Sequence, residues 1–245
     1  MDINKIINES IKKTLEENGI NTTKKVENDL DVNIQRADTI NEGYVTQAAK
    51  FDLKTELLSS KNKKAHQELM EGYVDQLNKI SAKLDTAPRD AANLNHSEFR
   101  SLKIDEAYNH NAAFLHGLFF QNISDMNSQI TMDSLAFMRL ERDFGSFDMW
   151  QQDFMACALS ARNGWVVTAY NTQLKRYINM VIDLHSQNLM IGCHPVIVVD
   201  CWEHSYYRDY LKNRKTYVSG MMKELNWDVI EDRIKLADKI HKVLS

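Results

Sequence analysis

The chain has little of what would mark it as secreted or disulfide-rich. It carries 3 cysteines and 2 prolines in 245 residues. Cys157, Cys193 and Cys201 are odd in number and form no CxxC pair, so the sequence indicates neither a disulfide framework nor a zinc cluster. We therefore expect the protein to work in a reducing compartment such as the cytoplasm.

Long apolar runs and a strong charge of one sign are also missing. No run approaches the roughly 20 apolar residues that span a bilayer, and the start MDINKIINESIKKTLEENG is too polar for a signal peptide. The 30 basic and 34 acidic residues give a formal net charge of −4, so the composition favours neither nucleic acid nor an anionic membrane as partner. We expect a soluble protein.

The first 48 residues are predicted to be an extension outside the main domain. Apolar residues recur at helical spacing over residues 3–18, which predicts a short amphipathic helix ending at Gly19. Residues 21–41 are polar and poorly periodic, and have too few apolar side chains to bury a face of their own. We expect residues 1–48 to dock on another surface, which could belong to their own domain, a sister subunit or another protein.

Residues 49–130 are predicted to form an antiparallel helical hairpin. The first helix carries one face at steps of three and four residues, made of His66, Met70, Tyr73, Leu77, Ile80 and Leu84. The second runs through AYNHNAAFLHGLFFQNIS and places His116 among alanines and phenylalanines. The segment TAPRDAANLNHSE between them contains Pro88 and several cap-forming residues, so it is predicted to be a loop.

Residues 131–245 are predicted to form a C-terminal domain with a small sheet. Three short runs, WVVTAY, YINMVID and PVIVVD, are rich in β-branched and aromatic residues. Helical segments follow, through WEHSYYRDYLKNRKTYVSGMMKELN and DVIEDRIKLADKIHKVL. The expected fold class is α+β: a helical hairpin, then a small antiparallel sheet of about three strands flanked by helices.

A candidate metal site lies where the third apolar run ends, in VVDCWEHSYY. The run PVIVV would carry Asp200 into the interior, where an unpaired carboxylate is costly. A metal ion shared with His204 would satisfy it. Equally, Asp200 could cap the helix that begins near Trp202. This segment alone leaves both interpretations open.

The histidines of the hairpin, His66 and His116, extend this candidate site. Each alone is more typical of a hydrogen-bonded core histidine than of a ligand. Together with Asp200 and His204 they would offer three nitrogens and one oxygen, a set that suits iron or manganese and that zinc also accepts.

Several segments resemble the iron/manganese superoxide dismutase family. VVDCWEHSYYRDYLKNRKTYV and NWDVIEDR are similar to the signature that closes these enzymes, DxWEHxYYxxY…R…Y and NWxxVxxR. FGSFDMWQQDF is similar to FGSFDKFKxxF, and NGWVV stands where the family has GSGWAW. LSSKNKKAHQELMEGYVDQLNKI is similar to the helix carrying the first ligand. The resemblance covers roughly residues 52–235.

The resemblance implies one iron or manganese ion per chain, held by His66, His116, Asp200 and His204 with a water or hydroxide. It implies a substrate gate at Tyr73, a hydrogen bond from His185 to the metal-bound solvent, and an anion-attracting Arg214. Around these it places aromatic walls at Trp165 and Trp202, and the dimer residues Glu203 and Tyr207. Without the resemblance, the tyrosine and tryptophans would be core aromatics, Arg214 a surface ion pair and His185 a loop residue.

The sequence departs from the family beside the first ligand. Six residues separate His66 from Tyr73 where the family has seven, and Leu69 and Met70 replace its paired histidines. On an ideal helix a step of seven places two side chains roughly 20° apart and a step of eight roughly 80°, so the aim of Tyr73 is expected to change. Leu115 also replaces the asparagine before the second ligand, and Ala113 stands where a histidine is frequent.

The function implied is dismutation of superoxide by a homodimer. The alternative is that a dismutase-like domain serves as a structural component of a larger assembly, docked through residues 1–48, with little or no activity. The changed spacing and the lost histidines favour this alternative, whereas the complete ligand set favours the enzyme.

Overall fold

A computed structural model of the chain describes residues 48–124 and 128–244. The amphipathic helix predicted within residues 1–48 lies outside these ranges. Within them the expected α+β class is confirmed, because helices surround a three-stranded antiparallel sheet.

The hairpin consists of α1 (Ser60–Thr86) and α2 (Glu98–Asn122). Each begins at a serine whose hydroxyl accepts a backbone N–H of the first turn, Ser59 from Asn62 and Ser97 from Arg100, which supplies a partner that helix ends otherwise lack. The predicted loop joins them at residues 87–97. The predicted apolar face of α1 is buried apart from Tyr73, which is half-buried.

Two further helices, α3 (Leu135–Phe144) and α4 (Phe147–Ser160), were not predicted. Their signals lie in capping residues. Ser134 accepts the N–H of Phe137 at the start of α3, Gly145 ends it at φ 89°, and Ser146 accepts the N–H of Met149 at the start of α4. A positive φ is accessible to glycine without strain, so the Gly145-Ser146 pair separates what would otherwise be one helix.

The three predicted strands are confirmed as β1 (Gly164–Asn171), β2 (Arg176–Asp183) and β3 (Cys193–Asp200). Their order is β2-β1-β3, with both pairings antiparallel. Every residue of the central strand β1 is buried, because helices cover the sheet on both faces. The register places Trp165 of β1 opposite Asp200 at the end of β3.

The chain closes with α5 (Glu203–Tyr210), α6 (Arg214–Lys223) and α7 (Trp227–Leu244). The backbone turns between α5 and α6 at Leu211, which has a φ of 49°. Among the described residues, no helix combines the length and the apolar character that crossing a membrane requires.

Arg233 of α7 fixes the hairpin to the sheet. Its guanidinium donates to Asn122 Oδ1 at 2.5 Å and Leu118 O at 3.0 Å in α2, and to Val196 O in β3 at 3.0 Å. Burial lowers the pKa of Arg233 to about 10, still high enough to keep it charged at neutral pH. The same apolar core holds Phe119 of α2 and Val198 of β3, while the predicted domain boundary at residue 130 stays a prediction.

Gly164 of β1 has no room for a side chain beside β2. A methyl group added there would lie 1.9 Å from the carbonyl oxygen of Ile182. We expect Gly164→Ala to lower the free energy of unfolding by roughly 1–3 kcal/mol or more, as overpacking does. Chemical denaturation measures this change.

Gly72 provides the matched control. It lies in α1, and an added methyl group would meet nothing within 4 Å. Gly72→Ala should therefore stabilise the protein by about 1 kcal/mol through helix propensity. Equal effects of the two substitutions would contradict the packing assigned to Gly164.

Candidate metal centre

Four side chains from three parts of the chain converge on one point. They are His66 of α1, His116 of α2, Asp200 at the end of β3 and His204 of α5. One potential ligand atom from each lies within 4.8 Å of the other three. Asp200 Oδ2 is 3.0 Å from His66 Nε2, 3.2 Å from His204 Nε2 and 3.7 Å from His116 Nε2.

Asp200 divides its two oxygens between the helix and the histidines. Oδ1 accepts the backbone N–H of Trp202 at 2.8 Å, and Oδ2 faces the three imidazoles. The N-cap of α5 is Trp202, which makes no side-chain capping bond. The two interpretations left open by the sequence are therefore not exclusive, because one carboxylate supports the start of α5 and joins the cluster.

His116 is the clearest sign that the cluster suits a metal. Its Nδ1 donates to Ala112 O at 2.7 Å, which leaves Nε2 without a proton in the neutral ring. Burial and the nearby His66 lower the pKa of His116 to about 3, so the ring is neutral at pH 7. Its Nε2 is buried without a hydrogen-bond partner and lies within the cluster. A metal ion would satisfy this lone pair.

The carboxylate of Asp200 is held in its charged form. Burial alone would raise its pKa, but His204 and the hydrogen bonds from His204 and His66 outweigh burial and hold the pKa well below its usual range. Three imidazoles and an anionic carboxylate oxygen form a donor set that suits iron or manganese and that zinc also accepts.

His185 lies behind the cluster with no exposed surface. Its Nδ1 accepts the indole N–H of Trp165 at 3.0 Å, so the neutral ring carries its proton on Nε2. That nitrogen is 3.0 Å from Tyr73 Oη and therefore donates to it. Burial lowers the pKa of His185 to about 4, so this orientation holds at neutral pH.

Trp202 forms a wall shared by two histidines. Its ring stacks on His185 at a centroid distance of 5.1 Å and on His204 at 5.6 Å. Trp165 meets His116 edge-on at 4.8 Å. Both tryptophans therefore lie against the cluster, and their role as walls of the site stays a prediction.

Tyr73 reaches the site despite its changed spacing. It lies on the same side of α1 as His66, as a step of seven predicts, and its ring is 5.4 Å from that of His116. Burial and nearby Tyr108 and Asp200 raise its pKa well above the usual value. The missing residue of the family pattern has not removed this tyrosine from the site.

Sequence reasoning missed Tyr108, whose ring is 4.7 Å from that of His185 and 6.3 Å from that of Tyr73. It precedes His116 by eight residues, which is roughly 80° around an ideal helix. Helical spacing therefore gives no signal that places it beside the site.

The cluster has one open side. The side chain of His204 is 28% exposed, whereas those of His66, His116 and Asp200 are at most 1% exposed. It borders a cavity of about 470 Å³ that is also lined by Leu69, Glu203 and Tyr207. The predicted dimer residues therefore lie together at this opening.

Arg214 lies apart from the four clustered side chains. Its guanidinium donates to the carbonyl oxygens of Ala161 and Arg162 and to Tyr206 Oη. It joins the start of α6 to the segment before β1. Burial raises the pKa of the Cys201 thiol to about 12, and the charge of Arg214 opposes this increase.

The fold and this donor set define a class of protein: an α+β domain with a site for one metal ion between a helical hairpin and a sheet. Residues 133–233 match the sequence model of the C-terminal domain of iron/manganese superoxide dismutases. The chain is 33% identical over 177 residues to a protein named superoxide dismutase [Fe] from Aquifex aeolicus, covering 71% of this chain and 82% of the relative.

Relatives named for manganese also match. A superoxide dismutase [Mn] 1 from Halobacterium salinarum is 30% identical over 167 residues, covering 68% of this chain and 81% of the relative. A superoxide dismutase [Mn] 2 from Haloferax volcanii is 37% identical over 121 residues, covering 49% and 60%. The chain belongs to the iron/manganese superoxide dismutase family.

The low pKa of His185 predicts a loss of stability in acid. The unfolded side chain takes up a proton below about pH 6.5, and the folded one only near pH 4. Between these values the unfolded chain binds more protons, so stability falls as the pH is lowered. His185→Gln should remove up to about 1.4 kcal/mol of this loss per pH unit.

Denaturation of both proteins at pH 7 and pH 5, at equal metal content, measures the difference. His66 and His116 contribute the same pH dependence of stability to the wild type and to His185→Gln. The difference between the two proteins therefore reports on His185. An unchanged pH dependence in His185→Gln would contradict the neutral, buried state of this ring.

Proposed function

We propose that this chain catalyses the dismutation of superoxide at one iron or manganese ion held by His66, His116, Asp200 and His204. The observation that carries the proposal is the convergence of the four ligand atoms, with His116 Nε2 buried and unpaired among them. The family membership supports the activity, and the names of the relatives include both metals.

The bound metal supplies one-electron chemistry, by which two superoxide anions and two protons become dioxygen and hydrogen peroxide. The residues of the chain set the conditions for it. Anionic Asp200 favours the more oxidised metal, and the indoles of Trp165 and Trp202 exclude water. His185 fixes the oxygen of Tyr73 beside the cluster, so that this oxygen faces the reacting anion.

Arg214 is assigned the attraction of the substrate anion. The formal net charge of the chain is −4, so an anion must be drawn in by local positive charge. The bonds of Arg214 to backbone carbonyls leave the guanidinium charge in place, because those acceptors are neutral.

Asp200→Asn tests the ligand set. The amide keeps an oxygen for the N–H of Trp202 but removes the negative charge that the metal requires. We expect the variant, purified from medium containing both iron and manganese, to lose most of its bound metal and its superoxide dismutation together. Elemental analysis and a superoxide assay measure the two quantities.

Asp209→Asn is the matched control. Asp209 lies in the same helix as His204 but accepts hydrogen bonds from Ser59 N and Asn62 Nδ2 of the hairpin. An amide oxygen can still accept both bonds, so the metal content of Asp209→Asn should stay near that of the wild type. A third variant, His185→Ala, should lose more activity than metal.

A wild-type chain that stays metal-free in this medium would overturn the proposed function.

A second copy of the chain is proposed to cover the open side of the cluster. The cavity there is bordered by half-buried Leu69 and by Tyr207, which is 50% exposed. Glu203 lies at the same opening, where it could reach a ligand histidine of a partner subunit. Closing this side would exclude water from His204.

Leu69→Lys tests the proposed dimer. A lysine at the centre of this face would carry a charge into the interface, so we expect the dissociation constant to rise at least tenfold by sedimentation equilibrium. Leu236→Lys places the same change on α7, where Leu236 is 47% exposed, and should leave association unaltered. Equal association of the two variants would argue against this interface.

A further inference from the structure

The hydroxyl of Tyr73 accepts a hydrogen bond from His185 and must donate its own proton to another group. Trp165 donates to His185 Nδ1 at 3.0 Å, so the proton of the neutral imidazole is on Nε2. That proton points at Tyr73 Oη, 3.0 Å away, which makes Tyr73 the acceptor of this bond. The O–H of Tyr73 must therefore donate elsewhere.

Tyr108 of α2 is placed to receive it. Its ring is 6.3 Å from that of Tyr73, and a hydrogen bond joins the two phenols. Because the oxygen of Tyr73 already accepts from His185, Tyr73 is the donor of this bond. Burial raises the pKa of both tyrosines, so both hydroxyls keep their protons. The Tyr108 ring also meets the imidazole of His185 nearly edge-on, at 4.7 Å and 73°. Tyr108 thus contacts both members of the Tyr73–His185 pair.

Tyr108 and His185 also differ in their exposure to solvent. His185 has no exposed surface, whereas Tyr108 is half-buried. A cavity of about 710 Å³ is lined by Ala107 and Ser186, the sequence neighbours of Tyr108 and His185. Of the two residues, Tyr108 is therefore the nearer to solvent.

We propose that Tyr108 is a positioning residue for the dismutation reaction, and that it acts by holding the proton of the Tyr73 hydroxyl away from the metal centre. While Tyr108 accepts that proton, Tyr73 presents its oxygen to the site and stays aligned with His185. This inference rests on the proposed function. It adds a residue that neither the ligand spacing nor the resemblance pointed to.

Anion binding at the site depends on where the proton of Tyr73 points. If the Tyr108 hydroxyl is removed, the Tyr73 proton is free to turn towards an anion in the site and to donate to it. A neutral hydrogen bond contributes about 1 kcal/mol, or roughly a fivefold change in an equilibrium or rate constant. Anion affinity should therefore rise, while turnover slows because Tyr73 is no longer held in one orientation.

The test uses Tyr108→Phe in the metal-loaded protein, since phenylalanine keeps the ring contact with His185. Azide, a small anion like superoxide, is titrated and followed by the absorption of the metal. We expect its dissociation constant to fall about fivefold. We also expect kcat for superoxide to fall about fivefold, with kcat/KM within twofold of the wild type because the encounter with the anion is unchanged.

A double-mutant cycle identifies the route of the effect. In a Tyr73→Phe background, Tyr108→Phe should leave the azide affinity unchanged, because the hydroxyl that it releases is absent. Tyr170→Phe is the matched control: the hydroxyl of Tyr170 bonds His241 Nδ1 at 2.5 Å, in a pair remote from the cluster, and its removal should leave azide affinity and kcat unaltered.

Two results would overturn the inference: azide affinity and kcat of Tyr108→Phe equal to those of Tyr170→Phe, or the same change in azide affinity with and without the Tyr73 hydroxyl. Failure of the proposed function is distinguishable from both. A wild-type chain that binds metal and azide but does not turn over superoxide would refute the enzyme, and the azide cycle would still decide the role of Tyr108.

Discussion

The negative charge of Asp200 has no exposed surface, and the arrangement around it compensates for that burial. An isolated carboxylate in such a place would cost several kcal/mol. Here one oxygen accepts a backbone N–H and the other faces three imidazoles. Because these histidines come from α1, α2 and α5, the compensation also fixes how the hairpin meets the sheet.

Two sets of hydrogen bonds fix the positions of these helices relative to each other and to the sheet. Arg233 joins α2 to β3 from inside the core by donating to neutral acceptors, and Asn122 donates to Val198 O at 2.9 Å. On the other side, Asp209 of α5 bonds the start of α1 through Ser59 and Asn62. The distances within the cluster therefore also depend on contacts one or two helical turns along the chain from its ligands.

The sequence was sufficient for the strands and the hairpin because their apolar patterns are regular. The step of seven between His66 and Tyr73 placed both on one side of α1, as observed. The helices α3 and α4 escaped notice because their limits are set by single capping residues, Ser134, Gly145 and Ser146, and not by a long apolar period. Short elements with strong caps leave a weak periodic signal.

The neighbours of Tyr108 and Arg214 could not be predicted, because they depend on tertiary contacts. Tyr108 meets His185 only because α2 lies beside the segment between β2 and β3, and no local spacing encodes that neighbour. The surroundings of Arg214 were equally inaccessible, since two of its three acceptors are backbone carbonyls more than 50 residues earlier in the chain. Backbone acceptors carry no residue identity, so a sequence cannot reveal them.

The stacking of Trp202 gives the protein a built-in optical reporter. Two of its 4 tryptophans, Trp165 and Trp202, touch histidines of the centre, while Trp150 and Trp227 pack against each other with ring centroids 5.9 Å apart. A paramagnetic ion beside an indole quenches its emission. Part of the intrinsic fluorescence thus depends on metal loading, and the rest follows the integrity of the core.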